Sequence, residues 1–337
     1  MNYLITGGYG FVGSNIASRL ITSGNNVIVF DNLSRTGSSQ NMKWLNEVGS
    51  HQFCHGDIRN YNDVCNVVAK FLPDVIFHLA GQVAMTSSVL NPRNDFEVNV
   101  LGSINILESI RNIKPDIVVV YSSSNKVYGD LRYLKLVESE FRFTPTDGSV
   151  GVSETVSLDF HTPYGCSKGA ADQYMLDYAR CYDLKTIVFR HSTIYGGRQF
   201  ATYDQGWVGW FCEQALKVSK DASYVFTISG NGKQVRDLLY VDDAVDCYLK
   251  AALSKNSWGK AFNIGGGVSN SSSLIELFKY LENKLNIRLK WDELPWRHDD
   301  QKYFVADISK ASDAFAWQPK VSKNAGVDKM LDWLIDK

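Results

Sequence analysis

Tyr3-Leu4-Ile5-Thr6-Gly7-Gly8-Tyr9-Gly10-Phe11-Val12-Gly13 opens the chain with an apolar run, a glycine-rich turn and the first residues of an amphipathic stretch. Tyr3–Thr6 reads as a strand, and Phe11–Ser23 carries apolar residues at helical spacing. Between them Gly7, Gly10 and Gly13 follow G-x-x-G-x-x-G, wider than the G-x-G-x-x-G fingerprint but with the same logic. Missing Cβ atoms let the backbone approach a pyrophosphate, which then sits at the positive N-terminus of the helix. Tight turns use glycine too, so context decides. Here Phe11 and Val12 open the helix, and Asp31 ends the next strand, placed to accept hydrogen bonds from an adenosine ribose diol. That carboxylate repels a 2′-phosphate and so favours NAD over NADP. Arg35, four residues on, is placed to shield such a phosphate and keeps the alternative open. Asp57 and Ile58, after the third strand, are expected to bracket adenine.

Outward from this turn, short apolar runs alternate with amphipathic stretches. Strands are expected at Val27–Phe30, Gln52–Cys54, Val75–Leu79, Ile117–Tyr121 and Thr186–Arg190. Helices are expected at Asn41–Val48, Tyr61–Phe71, Asn94–Arg111 and Pro163–Cys181, with Asn60 as a cap. Nearly continuous apolar strands alternating with helices predict a doubly wound parallel α/β sheet. After about residue 190 the alternation weakens. Residues 1–190 are therefore assigned to a dinucleotide-binding (Rossmann) domain and 191–337 mainly to a smaller, discontinuous substrate domain. A late strand at Ala261–Ile264 is free to return to the first sheet. Further strands and helices are expected at Val225–Ile228, Val208–Val218, Asp242–Leu253, Ser272–Lys284 and Val327–Ile335. The segment Asp130–His161 reads as a long loop. It is either a functional element or a tolerated surface insertion.

Composition narrows the class. The 337 residues carry 35 Lys+Arg against 36 Asp+Glu, a formal net charge of −1. Such balance argues against nucleic acid or an anionic membrane as partner. No apolar stretch approaches the roughly 20 residues that span a bilayer, and the N-terminus lacks a signal-peptide pattern. Cys54, Cys65, Cys166, Cys181, Cys212 and Cys247 are scattered without a C-x-x-C pair. Neither metal ligation nor a disulfide framework is expected, and a cytoplasmic location is.

A second constellation is Tyr164-Gly165-Cys166-Ser167-Lys168, with Ser122-Ser123-Ser124 upstream. Positions i and i+4 share a helix face, so Lys168 can sit beside the Tyr164 phenol. A nearby cation favours the phenolate and draws its pKa from about 10 toward neutrality. The result is a general base for a sugar hydroxyl, facing a nicotinamide that accepts hydride. The motif is short, and the chain holds a second copy, Tyr280-Leu281-Glu282-Asn283-Lys284. That copy has neither a glycine loop nor a serine run nearby and reads as a solvated helix face.

Taken together, Thr6–Gly13, Asp31, Ser122–Ser124, Tyr164/Lys168 and the late Arg236-Asp237 pair resemble the extended short-chain dehydrogenase/reductase family, and within it the nucleotide-sugar epimerases. The likeness spans essentially the whole chain. The runs at 56–60, 78–85, 124–130, 159–161, 163–174 and 196–207 are similar to the branch that inverts carbon 2 of CDP-linked 3,6-dideoxyhexoses. The resemblance implies a tightly bound NAD, with contacts extending to Asn32, Leu79, Ala80, Gln82, Asn99 and Ser122. It implies that Ser124 assists the Tyr164 base. It also implies a homodimer or homotetramer, with the helices Asn94–Arg111 and Pro163–Cys181 pairing across a two-fold axis.

Departures from the family pattern refine this. Sugar 4,6-dehydratases carry an Asp-Glu pair where this chain has Asn125 and Lys126. An amide and an ammonium cannot supply that acid–base pair, so dehydration is rejected. Relatives acting at carbon 4 usually carry Asn three residues after the arginine matching Arg190, where this chain has Thr193. His191 beside it is either a sugar contact or an ordinary partly buried histidine. Arg236 and Arg297 match the family's diphosphate clamps, work that suits the planar guanidinium. Asn125 and Thr193 complete the expected substrate wall. Trp207 and Trp210 are placed either to stack on sugar or base or, as tryptophans at i and i+3 more often do, to serve packing. The alternatives are a 4-epimerase of another nucleotide sugar, a non-catalytic NAD-binding scaffold, and a net-oxidising dehydrogenase that consumes free NAD.

Overall fold

The computed structural model describes residues 1–148, 151–297 and 300–337. His298 and Asp299, within the Arg297–Gln301 run, thus lie outside the described residues. The first half runs β1 (Asn2–Thr6), α1 (Phe11–Thr22), β2 (Asn26–Asp31), α2 (Ser38–Val48), β3 (Gln52–His55), α3 (Tyr61–Phe71) and β4 (Val75–His78). It continues through α4 (Met85–Leu90), α5 (Pro92–Phe96), α6 (Gly102–Ile113), β5 (Val118–Ser124), β6 (Leu136–Glu138), β7 (Phe143–Pro145), α7 (Thr162–Tyr182) and β8 (Lys185–His191). There follow β9 (Thr193–Tyr195), α8 (Trp207–Lys220), β10 (Phe226–Ser229), β11 (Val235–Tyr240), α9 (Val241–Ala252) and β12 (Lys260–Ile264). The chain ends with β13 (Ser271–Ser273), α10 (Leu274–Leu285), β14 (Trp291–Leu294), β15 (Tyr303–Phe304), α11 (Ser309–Phe315) and α12 (Lys323–Asp336).

Among the described residues one sheet has seven parallel strands in the order β12-β8-β5-β4-β1-β2-β3. Successive side chains on a strand point to opposite faces, and here both faces are covered. Leu4, Ile28, Ile76, Val119 and Val188 pack with α3, α6 and α7. Ile5, Val29, Phe77, Val120 and Phe189 pack on the other side with α1 and α9. Double burial explains why these strands read as unbroken apolar runs. Chain order reverses between β1 and β4, which opens a crevice at the carboxyl ends of the strands.

Several local expectations are corrected. The helix expected over Asn94–Arg111 is α5, a π turn at Glu97–Leu101, and α6. The extra residue of a π turn re-aims the side chains beside it, and Asn99 lies within this one, buried. The loop expected at Asp130–His161 contains the β6–β7 hairpin, docked by Phe143 N–H to Lys233 O at 3.0 Å. Val152 of the same segment pairs with Val305 and Asp307 through main-chain bonds of 2.7 and 3.0 Å. Ser272 lies in a strand, with the helix beginning at Leu274. The expected cap is present: the Asn60 side chain accepts the Asn62 N–H at 3.0 Å. No described helix is long and apolar enough to cross a membrane.

Candidate active site

The crevice is a cavity of about 610 Å³ reached by the β1–α1 turn, the ends of β2, β4 and β5, α7, and the segment after β8. Gly7 has φ +67°, and a Cβ there would lie 2.7 Å from Ala80 N. At Gly13 a Cβ would lie 2.3 Å from Gly7 O. Side chains at these two positions would push the turn off β4 and separate helix from strand. Gly10 caps α1 without a side-chain acceptor, so the donors of its first turn are left for a ligand, as anion-binding helix ends require. Asp31 accepts Tyr9 N–H at 2.9 Å and Leu33 N–H at 2.8 Å. Burial raises its carboxyl, and these N–H donors oppose the rise. Asp57 is held down to about 2 by the hydrogen bond from Arg59 and also accepts from Asn32 at 3.0 Å. Arg35 donates to Gln205 Oε1 at 2.5 Å. Ser38 Oγ, Asn41 Oδ1 and Gln199 Oε1, buried atoms of cavity-lining residues, have no protein partner. An elongated polar ligand with a diphosphate fits this wall.

At the other end stand Ser124, Tyr164 and Lys168. The Ser124 hydroxyl lies near enough to the Tyr164 phenol to favour its ionised form, donates to Asn125 Oδ1 at 3.4 Å and accepts the Lys126 N–H at 3.2 Å. Lys168 donates to the Ser122 main-chain carbonyl at 2.8 Å and lies 5.1 Å from the Tyr121 ring centre. Burial pushes the Tyr164 phenol up to about 12, with the nearby Ser124 hydroxyl working against it. Burial pushes the Lys168 ammonium down to about 8, opposed by Asp95. The expected drift of the phenol toward neutrality is therefore absent from the protein's own electrostatics. Shared helix face brings the two residues together, but the ammonium is spent on a carbonyl and a ring.

Ser123 turns away and donates to Asp172 Oδ2 at 2.8 Å. Asp172 is held by Arg190 in a bidentate buried pair, both bonds 2.9 Å, and Arg190 donates also to the Tyr128 hydroxyl at 3.0 Å. Removing one partner of such a pair strands a buried charge. His191 has the character of the partly buried histidine that the sequence allowed. It lines the cavity, yet its ring is bound by Ser122 at 3.3 Å and Tyr248 at 2.7 Å. Burial pushes it down to about 3, so it is neutral.

Of the expected site residues, Gly7, Gly10, Phe11, Val12, Gly13, Asp31, Asn32, Asp57, Ile58, Leu79, Ala80 and Gln82 line the cavity. So do Ser122, Ser124, Tyr164, Lys168, His191 and Thr193. Asn99 stands behind this wall: its amide accepts Gln82 N–H at 2.9 Å and donates to Ser167 at 3.0 Å. Asn125, Arg236 and Arg297 also lie outside the lining. Asn125 donates to Gln301 Oε1 at 2.9 Å, Arg236 to Asp300 Oδ1 at 2.9 Å, and Arg297 to Tyr203 O at 3.0 Å.

Two features escaped the sequence reading. Asp95, fully buried, accepts from Ser167 and is the carboxylate that acts on Lys168. Residues 198–207 form a strap along the cavity. Arg35 holds Gln205, while Thr86 and Ser87 each donate to Asp204 at 3.0 Å. Trp207 lines the cavity and donates to Thr193 Oγ1 at 3.2 Å, more than a packing role. The only signal for the strap was its similarity to the family. The second Tyr-x-x-x-Lys copy is a helix bridge and not a free face. Tyr280 donates to Asp328 Oδ1 at 2.7 Å and Lys284 pairs with Asp328 at 3.0 Å. Away from the cavity, Asp130, Asp159 and His161 bring ligand-type atoms within 4.8 Å of one another. Arg132 already pairs with Asp130, and His161 with Asp159.

A seven-stranded doubly wound sheet, a glycine turn under an acidic β2 terminus and a Ser–Tyr–Lys group in one cavity define a nicotinamide-nucleotide-dependent enzyme fold. The sequence profile of the GDP-mannose 4,6 dehydratase family matches residues 4–330. The chain belongs to that family, the extended short-chain dehydrogenase/reductase group of nucleotide-sugar epimerases and dehydratases. It is 56% identical over 334 residues to CDP-paratose 2-epimerase of Salmonella typhi, covering 99% of both chains. Its structure is similar to UDP-glucose 4-epimerase of Thermotoga maritima solved with UDP-glucose (TM-score 0.85, 30% identity, 100% and 99% coverage). It is similar also to UDP-glucose 4-epimerase of Thermus thermophilus in complex with NAD (TM-score 0.81, 27% identity, 99% of both chains).

Proposed function

We propose that this chain is an NAD-dependent epimerase that inverts carbon 2 of a CDP-3,6-dideoxyhexose, converting CDP-paratose to CDP-tyvelose. The observation that carries the reading is the near-full-length similarity to the Salmonella typhi enzyme. Asn125 and Lys126 agree with it, because they leave no acid–base pair for the dehydration after which the matching family is named. Residues 1–190, with β12, hold the cofactor, and residues 191–337 mainly hold the nucleotide sugar.

NAD supplies, when bound, a hydride acceptor and donor, and its oxidised ring brings a positive charge. The α1 N-terminus and Gly7–Gly13 hold its diphosphate, and Asp31 takes the adenosine ribose hydroxyls. Tyr164 removes the proton from the sugar hydroxyl, with the Ser124 hydroxyl beside the phenol to orient it. Lys168, fixed on the Ser122 carbonyl, keeps a cation at the ring end of the cavity. A group buried as Tyr164 is needs external positive charge to reach the phenolate. The ring's charge has that sign. The chemistry that bound NAD would supply is removal of hydride from carbon 2 and its return to the opposite face of the turned sugar, while Tyr164 takes and gives back the hydroxyl proton.

The test is incubation of the purified protein with CDP-paratose and with a panel of other nucleotide sugars, without added NAD. CDP-tyvelose is the expected product. Inertness toward CDP-paratose with inversion at carbon 4 of another sugar would overturn the substrate. Stoichiometric NADH release would overturn the epimerase.

A further inference from the structure

Lys126 has no part in the chemistry described so far, yet its position is unusual. Its main-chain N–H is bound by the Ser124 hydroxyl at 3.2 Å. Its carbonyl packs on the residue after the base, 3.1 Å from where a Cβ of Gly165 would stand. The Lys126 backbone thus lies against Ser124 and against the residue that follows Tyr164. Its ammonium, only 17% exposed, meets Asp300 Oδ1 at 3.3 Å, and the same oxygen takes Arg236 at 2.9 Å. Arg297 lies close enough to act electrostatically on both Lys126 and Asp300. Among the described residues, three cations therefore surround one carboxylate. Burial, with Arg236 and Arg297 adding to it, pushes the ammonium down to about 8 against the pull of Asp300. Among the described residues, the group thus holds more positive than negative charge.

The carbon-2 reading says where the balancing negative charge comes from. Carbon 2 is bonded to carbon 1, which carries the diphosphate, whereas carbon 4 lies across the ring. An enzyme working at carbon 4 keeps the phosphate away from its base. One working at carbon 2 must seat a phosphoryl group beside the hydroxyl being deprotonated, where a second negative charge develops. A cation between the two relieves that repulsion.

We propose that Lys126 is a substrate-binding residue that takes the phosphoryl group on carbon 1, sharing its ammonium between that group and Asp300, and so selects sugars whose reacting carbon adjoins the phosphate. The proposal rests on the carbon-2 reading, and its test separates the two.

Wild type, Lys126→Gln, Lys126→Arg and Asp300→Asn, each purified as the holoprotein, are titrated with CDP and with cytidine and assayed with CDP-paratose. Lys126→Gln is expected to weaken CDP by about tenfold or more, the scale of a lost charge-assisted hydrogen bond, with cytidine unchanged. Lys126→Arg should recover most of the CDP affinity and of the KM. Asp300→Asn should bind CDP at least as well as wild type, since it frees the ammonium. If Lys126 served only to hold Asp300, Asp300→Asn would lose CDP as Lys126→Gln does, and the proposal falls. Unchanged CDP affinity in Lys126→Gln, or equal loss of CDP and cytidine, overturns it as well, with CDP-paratose turnover by wild type intact. Wild-type inertness toward CDP-paratose would overturn the carbon-2 reading itself, and the selective role with it.

Discussion

Lys168 and Ser122 are joined by a 2.8 Å bond from the ammonium to the main-chain carbonyl, across the seam between α7 and β5. The bond holds the cation at the strand end and leaves the Tyr164 phenol to Ser124. Division of labour follows. On the proposed reading Lys168 fixes charge, Ser124 orients, and Tyr164 alone exchanges the proton.

Tyr164→Phe should therefore lower kcat by about 10²–10⁴-fold, the usual worth of a positioned general base. NAD content, measured after denaturation, should stay near wild type, because the ring and Lys168 remain. Retention of most activity would remove Tyr164 from its role. Tyr280→Phe is the control. Its turnover should match wild type, while loss of the Asp328 bond lowers stability by about 0.5–1.5 kcal/mol, read from urea unfolding.

Asp31→Ala should weaken NAD and relax discrimination against NADP, since the ribose hydrogen bonds and the repulsion of a 2′-phosphate go together. Arg35 is occupied by Gln205, so the wild-type preference is expected to rest on the carboxylate. An unchanged NAD/NADP ratio in the variant would shift the assignment to Arg35.

His78 gives a prediction in pH. Its ring is bound by Thr6 at 2.8 Å and Ser103 at 3.0 Å, and burial pushes it from 6.5 down to about 3. The folded protein thus holds fewer protons here than the unfolded chain. Stability contributed by the neutral ring is present above about 6.5 and is lost as pH falls toward about 3. The Tm advantage of wild type over His78→Gln should shrink as the buffer is taken down through that window. A gap constant between about pH 7 and pH 4.5 would show that His78 does not titrate this way.

Deuterium at carbon 2 of CDP-paratose should be retained at carbon 2 of the product. Neither neighbour of that carbon is a carbonyl, so its C–H is not acidic and no side-chain base can remove it directly. Inversion must pass through oxidation, or through loss and re-addition of the nucleotide. Tyr164 and a bound nicotinamide serve only the first route. Solvent deuterium at carbon 2, detected by mass spectrometry, or free CDP during turnover, would exclude the hydride mechanism.

The parallel sheet was legible because each core strand is buried on both faces, as Leu4 and Ile5 show, and leaves an unbroken apolar run. The smaller sheet was not. β13 is Ser271-Ser272-Ser273, which pairs with β11 through its backbone and carries no apolar signature. The β6–β7 hairpin was hidden for a similar reason: each strand is three residues, too short to show alternation. At the site, spacing placed Lys168 beside Tyr164 but could not say where four flexible methylenes would send the ammonium. Asp95 gave no signal because its partner, Ser167, lies 72 positions away. Asn99 was picked out by resemblance, but only the π turn explains how it reaches Gln82.

The strap at 198–207 sets two clocks. It is tied to Arg35 on one side of the cavity and to Thr86 and Ser87 on another, so on the proposed reading a dinucleotide seated beneath it would depart only when separate tethers open together. A sugar entering beside Tyr164 would sit at the other end of the cavity from those tethers. On the proposed reading, substrate residence and cofactor residence differ by orders of magnitude, and each molecule carries its own oxidation history. One that loses a half-finished sugar stays reduced and idle until another oxidised sugar arrives. Specific activity of a preparation then measures how its molecules were last used as much as how well they are folded.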